Sequence, residues 1–260
     1  AVIYFKKGLD MKLIDQRPTK PRQTGKTNVL DKGLGLEQLK MQLEACGEFI
    51  DVIKLGWGTS LITPNLEAKL DLIKSHGIEP CLGGTLFEYC YLTNKVDEYI
   101  NFLKQHKLSL IEISDGTISI PQKEKNELIS RFAKDFTVLS EVGSKDDKVV
   151  VSPSKWVEQI KSEINAGAKS IILEGRESGT AGLYRGDGEI RMGLVEEVME
   201  SGVEIDKLIF EAPKKAHQVF MIKQYGRDVN MGNIAYEDVI SLETLRLGLR
   251  SDTLCSIHLK

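Results

Sequence analysis

From Thr27 onward the chain repeats a single pattern: a short apolar run rich in β-branched residues, a turn bearing glycine or charge, then a stretch with helical spacing. The runs predict strands over 27–31, 49–55, 79–82, 109–114, 136–142, 169–174, 207–211 and 228–231. Several are apolar on consecutive residues, as in Ser170-Ile171-Ile172-Leu173, which suits strands covered on both faces and so a parallel sheet. Between them Leu36, Leu39 and Leu43 fall on one helical face, as do Leu66, Leu70 and Ile73, then Val96, Ile100 and Leu103. Val157, Ile160 and Ile164 make another stripe, and Val239, Leu242 and Leu249 a last one. Ser152 ahead of Pro153 signals a helix start, and Gly77, Gly167 and Gly202 stand where helices should stop.

Eight such units in series build either an open doubly wound sheet or a closed barrel. The count of eight, with no GxGxxG fingerprint after the first strand, selects an α/β fold: a single-domain (β/α)8 TIM barrel over 27–260. Residues 1–26, which include Arg17-Pro18-Thr19-Lys20-Pro21-Arg22, read as an N-terminal extension covering one barrel end.

Composition narrows the function classes. With 41% hydrophobic and 28% charged residues the chain can bury a sizeable core, and its net charge of -3 with no Lys/Arg block excludes a nucleic-acid partner. No apolar run approaches the roughly 20 residues of a membrane span, and the start lacks the basic region and cleavage site of a signal peptide. Cys46, Cys81, Cys90 and Cys255 form no CxxC pair and lie at no metal-ligand spacing from histidine, so they read as buried free thiols of a cytoplasmic protein. A homo-oligomer is compatible with this reading.

In a barrel the loops after the strands form the active site, and here nearly every strand ends in charge. Asp31-Lys32-Gly33 follows the first strand, Lys54 lies in the second, and Gly83-Gly84-Thr85 follows the third. Glu112 to Asp115, Glu141 to Lys145, Glu174-Gly175-Arg176 and Glu211 end the next four, and the eighth leads into Asn230-Met231-Gly232-Asn233. Desolvation costs several kcal/mol per ion, so ionised groups at so many apolar strand ends point to function rather than packing. The carboxylates Asp31, Asp115, Glu141, Glu174 and Glu211, with no histidine among them, suit a hard cation held by oxygen, Mg2+ above all. Lys32, Lys54, Lys145 and Arg176 suit a substrate with several negative charges. Gly83-Gly84 lets backbone N–H groups approach an anion, and Gly232-Asn233 is expected to open the last helix and offer its N-terminus to a phosphate. The glycine-bearing segment 177–188 looks like a mobile lid. His76, His106, His217 and His258 fall in helices or the tail and take no part in catalysis.

The runs Asp31-Lys32-Gly33-Leu34, Lys54-Leu55-Gly56-Trp57-Gly58-Thr59-Ser60 and Gly83-Gly84-Thr85-Leu86-Phe87-Glu88 resemble the phosphosulfolactate synthase family. So do Glu112-Ile113-Ser114-Asp115-Gly116, Glu141-Val142-Gly143, Glu174-Gly175-Arg176-Glu177-Ser178-Gly179 and Phe210-Glu211-Ala212-Pro213, and the tail 240–246 matches too. The resemblance implies a Mg2+-dependent lyase-class enzyme that adds sulfite to phosphoenolpyruvate, giving (2R)-O-phospho-3-sulfolactate. Family members serve coenzyme M synthesis or sulfolactate production. The family's general-acid lysine falls on Lys145, with Ser144 where archaeal relatives tend to carry a second lysine. Lys145, its pKa expected to fall under neighbouring cations, would protonate C2. Glu141, Glu174 and Glu211 are the favoured metal ligands, with Asp31 and Asp115 as alternates. Two other readings stand beside it: a Schiff-base aldolase using Lys54 or Lys145, and a non-catalytic, stress-related family member.

Overall fold

In the computed structural model, which describes residues 13–146 and 151–259, eight parallel strands pair in sequence order and the last closes on the first. The strands are β1 (Thr27–Asp31), β2 (Val52–Leu55), β3 (Glu79–Leu82), β4 (Leu110–Ile113), β5 (Thr137–Val142), β6 (Ser170–Leu173), β7 (Leu208–Glu211) and β8 (Met231–Ile234). Helices return the chain between them: α1 (Leu36–Cys46), α2 (Leu66–Ser75), α3 (Gly84–Leu92) and α4 (Val96–Gln105) in the first half. The second half has α5 (Gln122–Phe132), α6 (Pro153–Ala166), α7 (Met192–Glu200), α8 (Lys215–Tyr225), α9 (Val239–Arg246) and α10 (Leu254–His258). The predicted (β/α)8 barrel is the observed fold.

The differences from expectation are local. Gly47–Phe49 winds into a 3₁₀ turn, so β2 starts three residues later than predicted. β8 occupies 231–234 rather than 228–231, because Asn230 is used as a clasp below it. The Asn230 side-chain amide donates to the carbonyls of Asp206 and Leu208, each at 3.1 Å, and its Oδ1 accepts from Lys26 N at 3.0 Å. Gly232 and Asn233 are poor strand formers, which hid the true strand from its composition. Leu249 lies beyond α9 and is exposed rather than part of its apolar stripe.

Two apolar layers follow from strand alternation. Val52, Cys81, Leu110, Leu139, Ile172 and Ile209 point inward and fill the barrel's centre. Their strand neighbours Ile53, Leu82, Ile111, Val138, Ile171 and Phe210 point outward and pack under the helices. The interior is therefore plugged below, while its C-terminal mouth holds a cavity.

The N-terminal end is sealed by residues 13–26 and α9. Arg17 donates to Glu243 at 2.5 Å and to Gly25 O at 2.8 Å, and pairs with Asp228 at 3.3 Å. Arg22 binds Asp51, Pro18 O and Glu48 O. The fully buried Arg246 donates to the carbonyls of Arg227, Val229 and Lys26. The first twelve residues of the expected 1–26 extension lie outside the described residues. Cys46, Cys81 and Cys90 are buried free thiols, whereas Cys255 is exposed, on the short α10. Among the described residues no helix is long and apolar enough to cross a membrane.

Candidate active site

Each of Lys54, Glu112, Glu141, Glu174 and Glu211 stands two residues beyond an inward apolar residue, respectively Val52, Leu110, Leu139, Ile172 and Ile209. The two-residue period of a strand turns them to the same interior, so they form one charged layer on top of the apolar one. They line a cavity of about 390 Å³ together with Gly83, Gly84, Lys145, Arg176 and Asn233. The pocket backbone is unusual at three non-glycine positions on its wall: Trp57, Arg176 and Asn233 have φ of 52°, 55° and 56°. Left-handed backbone of this kind costs of order 1–3 kcal/mol per residue and concentrates at functional sites.

The charges are tightly interleaved. Lys54 Nζ lies 3.2 Å from Glu112 Oε2 and 3.1 Å from Glu211 Oε1. Lys145 Nζ lies 2.7 Å from Glu141, 2.9 Å from Glu88 and 3.7 Å from Glu174. Burial works to lower the pKa of both lysines, but the surrounding carboxylates outweigh it and hold each ammonium above its ordinary value. The expected depression of the Lys145 pKa is therefore reversed, because its neighbours are carboxylates and not cations. Burial, then Glu141 and Glu211, push Glu174 well above the carboxylate range, and burial raises Glu112 against the pull of Lys54.

Close approach explains the paired glycines. A Cβ on Gly83 would sit 2.8 Å from the Trp57 nitrogen, and one on Gly84 would collide with Ser114 Oγ and Glu112 Oε1. Gly84 N, in the first turn of α3, donates to Glu112 Oε1 at 2.7 Å, so the helix N-terminus already faces a carboxylate.

Four predicted residues lie elsewhere. Asp31 is turned outward and saturated: it accepts from Lys69 at 2.9 Å, from Tyr236 OH at 2.9 Å and from the N–H groups of Gly33 and Leu34. Asp115 pairs with the buried Lys125 at 2.8 Å, behind the rim. Lys32, beside Asp31, is exposed and off the cavity wall. Gly232 lies inside β8 and lines a small void beneath the mouth rather than opening a helix, since α9 begins only at Val239. The 177–188 segment is packed rather than free: Ala181, Leu183 and Tyr184 are buried, Leu183 N bonds Glu174 O and Tyr184 OH bonds Glu211 O. Glu112 was not among the predicted ligands, although Leu110-x-Glu112 repeats the alternation of Leu139-x-Glu141. Glu88, on α3, left no strand-end signal at all.

The donor chemistry fits a hard divalent cation. Five buried carboxylates lie within 4 Å of only two ammonium groups. Glu112 Oε2, Glu141 Oε1 and Glu174 Oε2 lack a well-directed hydrogen bond despite their nearby lysines, and Asn233 Oδ1 lacks any. Among the described residues no three carboxylates are gathered into a ready-made cage.

Residues 15–252 match the family described as (2R)-phospho-3-sulfolactate synthase (ComA). This chain belongs to that family. Within the phosphosulfolactate synthase family, the protein of Bacillus subtilis (strain 168) is 44% identical over 239 residues, covering 91% of this chain and 95% of its own. That of Methanocaldococcus jannaschii is 43% identical over 238 residues, covering 89% and 94%. Among solved structures, a 3-hexulose-6-phosphate synthase superposes with a TM-score of 0.55 at 14% identity, over 85% of this chain and 98% of its own. That last likeness is one of fold alone. The family match runs through every strand of the barrel, and so through all five residues of the charged layer.

Proposed function

We propose that this chain is a phosphosulfolactate synthase, a carbon–sulfur lyase-class enzyme that joins sulfite to phosphoenolpyruvate and yields (2R)-O-phospho-3-sulfolactate. The sulfite sulfur lone pair forms the new bond at the methylene carbon, C3. The C2=C3 pair shifts towards C2 and its carboxylate, a proton is added at C2, and the phosphate ester stays intact. The observation that carries this reading is that Lys54, Lys145 and Arg176 open onto one cavity whose other charges are carboxylates.

The physical problem is repulsion. Two unit charges 4 Å apart interact by about 4 kcal/mol at an effective dielectric near 20, and both reactants are multiply charged anions. Lys54 and Arg176 offset part of this by binding and orienting the anionic groups. The remaining acidic layer would repel such substrates, which is the reason for a divalent cation. Glu112, Glu141, Glu174 and Glu211 are the residues that would hold it. When bound, Mg2+ supplies Lewis-acid neutralisation of the carboxylate oxygens on which charge develops. Lys145 is the proton donor to C2: its neighbours keep it an ammonium, and delivery from one wall fixes the R configuration. No general base is required, and among the described residues no histidine lines the cavity.

A Schiff-base aldolase needs a neutral amine, and the carboxylates around Lys54 and Lys145 work against one. A non-catalytic barrel has no use for a costly buried charged layer. The buried thiols of Cys46, Cys81 and Cys90 favour a reducing cytoplasm. The test is a sulfite-dependent loss of phosphoenolpyruvate absorbance. Absorbance should fall only when protein, sulfite and Mg2+ are together; a folded chain that leaves phosphoenolpyruvate intact under those conditions overturns the proposal.

A further inference from the structure

Lys145 touches three carboxylates, and they differ in where they stand. Glu141 and Glu174 are on the cavity wall, within reach of whatever enters it. Glu88 is not on that wall. It projects from α3, is 2% exposed, and reaches Lys145 Nζ from behind at 2.9 Å. Its carboxylate is itself fixed twice more, by Ser114 Oγ at 2.5 Å and by Thr117 N at 3.1 Å. Ser114 Oγ in turn lies 3.3 Å from Lys145 Nζ, which closes a three-membered cluster.

The surroundings are shaped around this cluster. Ser114 is fully buried, and the room for its hydroxyl exists because residue 84 is glycine. The Lys145 stem lies against Gly116, where a Cβ would come within 2.9 Å of Cγ, and Lys145 N donates to Gly116 O at 3.0 Å. Stem and head of one lysine are thus held by different elements, the stem by the β4 end and the head by α3. A side chain as rotamer-rich as lysine needs such a clamp if it is to deliver a proton to a single face of a planar carbon.

We propose that Glu88, with Ser114 as its partner, is the positioning residue for Lys145, aiming the ammonium at the cavity from the side that substrate and cation leave alone. The inference rests on the reading of Lys145 as proton donor and deepens it. Glu88 acts only through Lys145, so the two substitutions should not add.

The experiment is a double-mutant cycle on the full chain with phosphoenolpyruvate, sulfite and Mg2+. Glu88→Gln keeps the shape but removes the charge, and should lower kcat about 10-fold to 100-fold while KM for phosphoenolpyruvate moves much less. In a Lys145→Ala background the same change should alter turnover by less than about 2-fold. The configuration at C2 is a second readout, since a loosened lysine should erode the R preference. Normal kcat in Glu88→Gln with an inactive Lys145→Ala overturns the inference alone. An undiminished effect of Glu88→Gln in the Lys145→Ala background also overturns it, by showing that Glu88 supports the fold. Near-normal turnover of Lys145→Ala removes the proton-donor reading and this inference with it. Should Glu88→Gln fail to fold, Ser114→Ala carries the same cycle, with an expected fall in kcat of roughly 3-fold to 10-fold that vanishes without Lys145.

Discussion

The carboxylates at the strand ends fall into two groups that the sequence writes in the same letters. Asp31 and Asp115 are each held by a buried lysine from the helix layer, Lys69 and Lys125, and Asp31 also takes the Tyr236 hydroxyl and two backbone N–H groups. Glu112, Glu141, Glu174 and Glu211 face inward and outnumber the two lysines beside them, so that each ammonium is shared among several carboxylates. The first group is satisfied and holds loops in place. The second is in excess over its cations, and the imbalance is what can do chemistry. Asp31 is buried as deeply as the inward-facing group while Asp115 is only partly so, and depth therefore does not separate a structural charge from a working one; the balance of its partners does.

Four substitutions or conditions probe that contrast. Lys145→Ala removes the proposed proton donor and should lower kcat by about 10²-fold to 10⁴-fold, with the circular-dichroism spectrum unchanged. Near-normal turnover would break the functional half of the comparison. Asp31→Ala strands the Lys69 ammonium and should cost about 3–5 kcal/mol in urea unfolding. Its folded fraction should keep the substrate KM of the parent, and a loss of KM with intact stability would place Asp31 in the wrong group. Glu174→Gln should raise the Mg2+ concentration needed for half-maximal activity on the order of 10-fold to 100-fold, with stability held or increased. An unchanged metal requirement excludes Glu174 as a ligand.

The smallest effect is in pH. Glu112 and Glu174 keep protons in the fold that the unfolded chain loses above the ordinary glutamate value of 4.5. The folded state binds more protons in that window, so their contribution is full below 4.5 and declines as pH rises through the raised values. Metal-free protein should accordingly show a lower urea midpoint at about pH 8 than at about pH 5, and added Mg2+ should recover the loss at about pH 8. A midpoint that climbs across this range would contradict the acidic excess.

Much of this was legible from residues alone. Apolar runs at regular spacing identified all eight strands to within three residues of their ends, only the eighth being off by three at both, and the rim followed from the fold. Glu141, Glu174 and Glu211 were recognisable because each ends an apolar strand. Glu112 was recognisable too, by its parity with Leu110, and the same test sets Asp31 apart, since Val29 two residues earlier packs under the helices. Other features carry no local mark. Glu88 sits on a helix, 57 positions from the lysine it clamps, and only the closed barrel brings them together. The upward shift of Lys145 depends on three carboxylates from separate elements. In β8, glycine and asparagine take a strand's place because of pairing with β7 and β1, which outweighs propensity.

The seal at the barrel's lower end has a consequence for how the molecule is made. Arg17 grips Glu243 across 226 positions, and Arg246 grips the carbonyl of Lys26 across 220. A nascent chain can lay down its early βα units as they emerge, but the seam edge of β1 has no partner until β8 appears. Closure therefore waits for β8 and α9, and until they emerge the open edges of β1 and of the growing sheet stay unpaired.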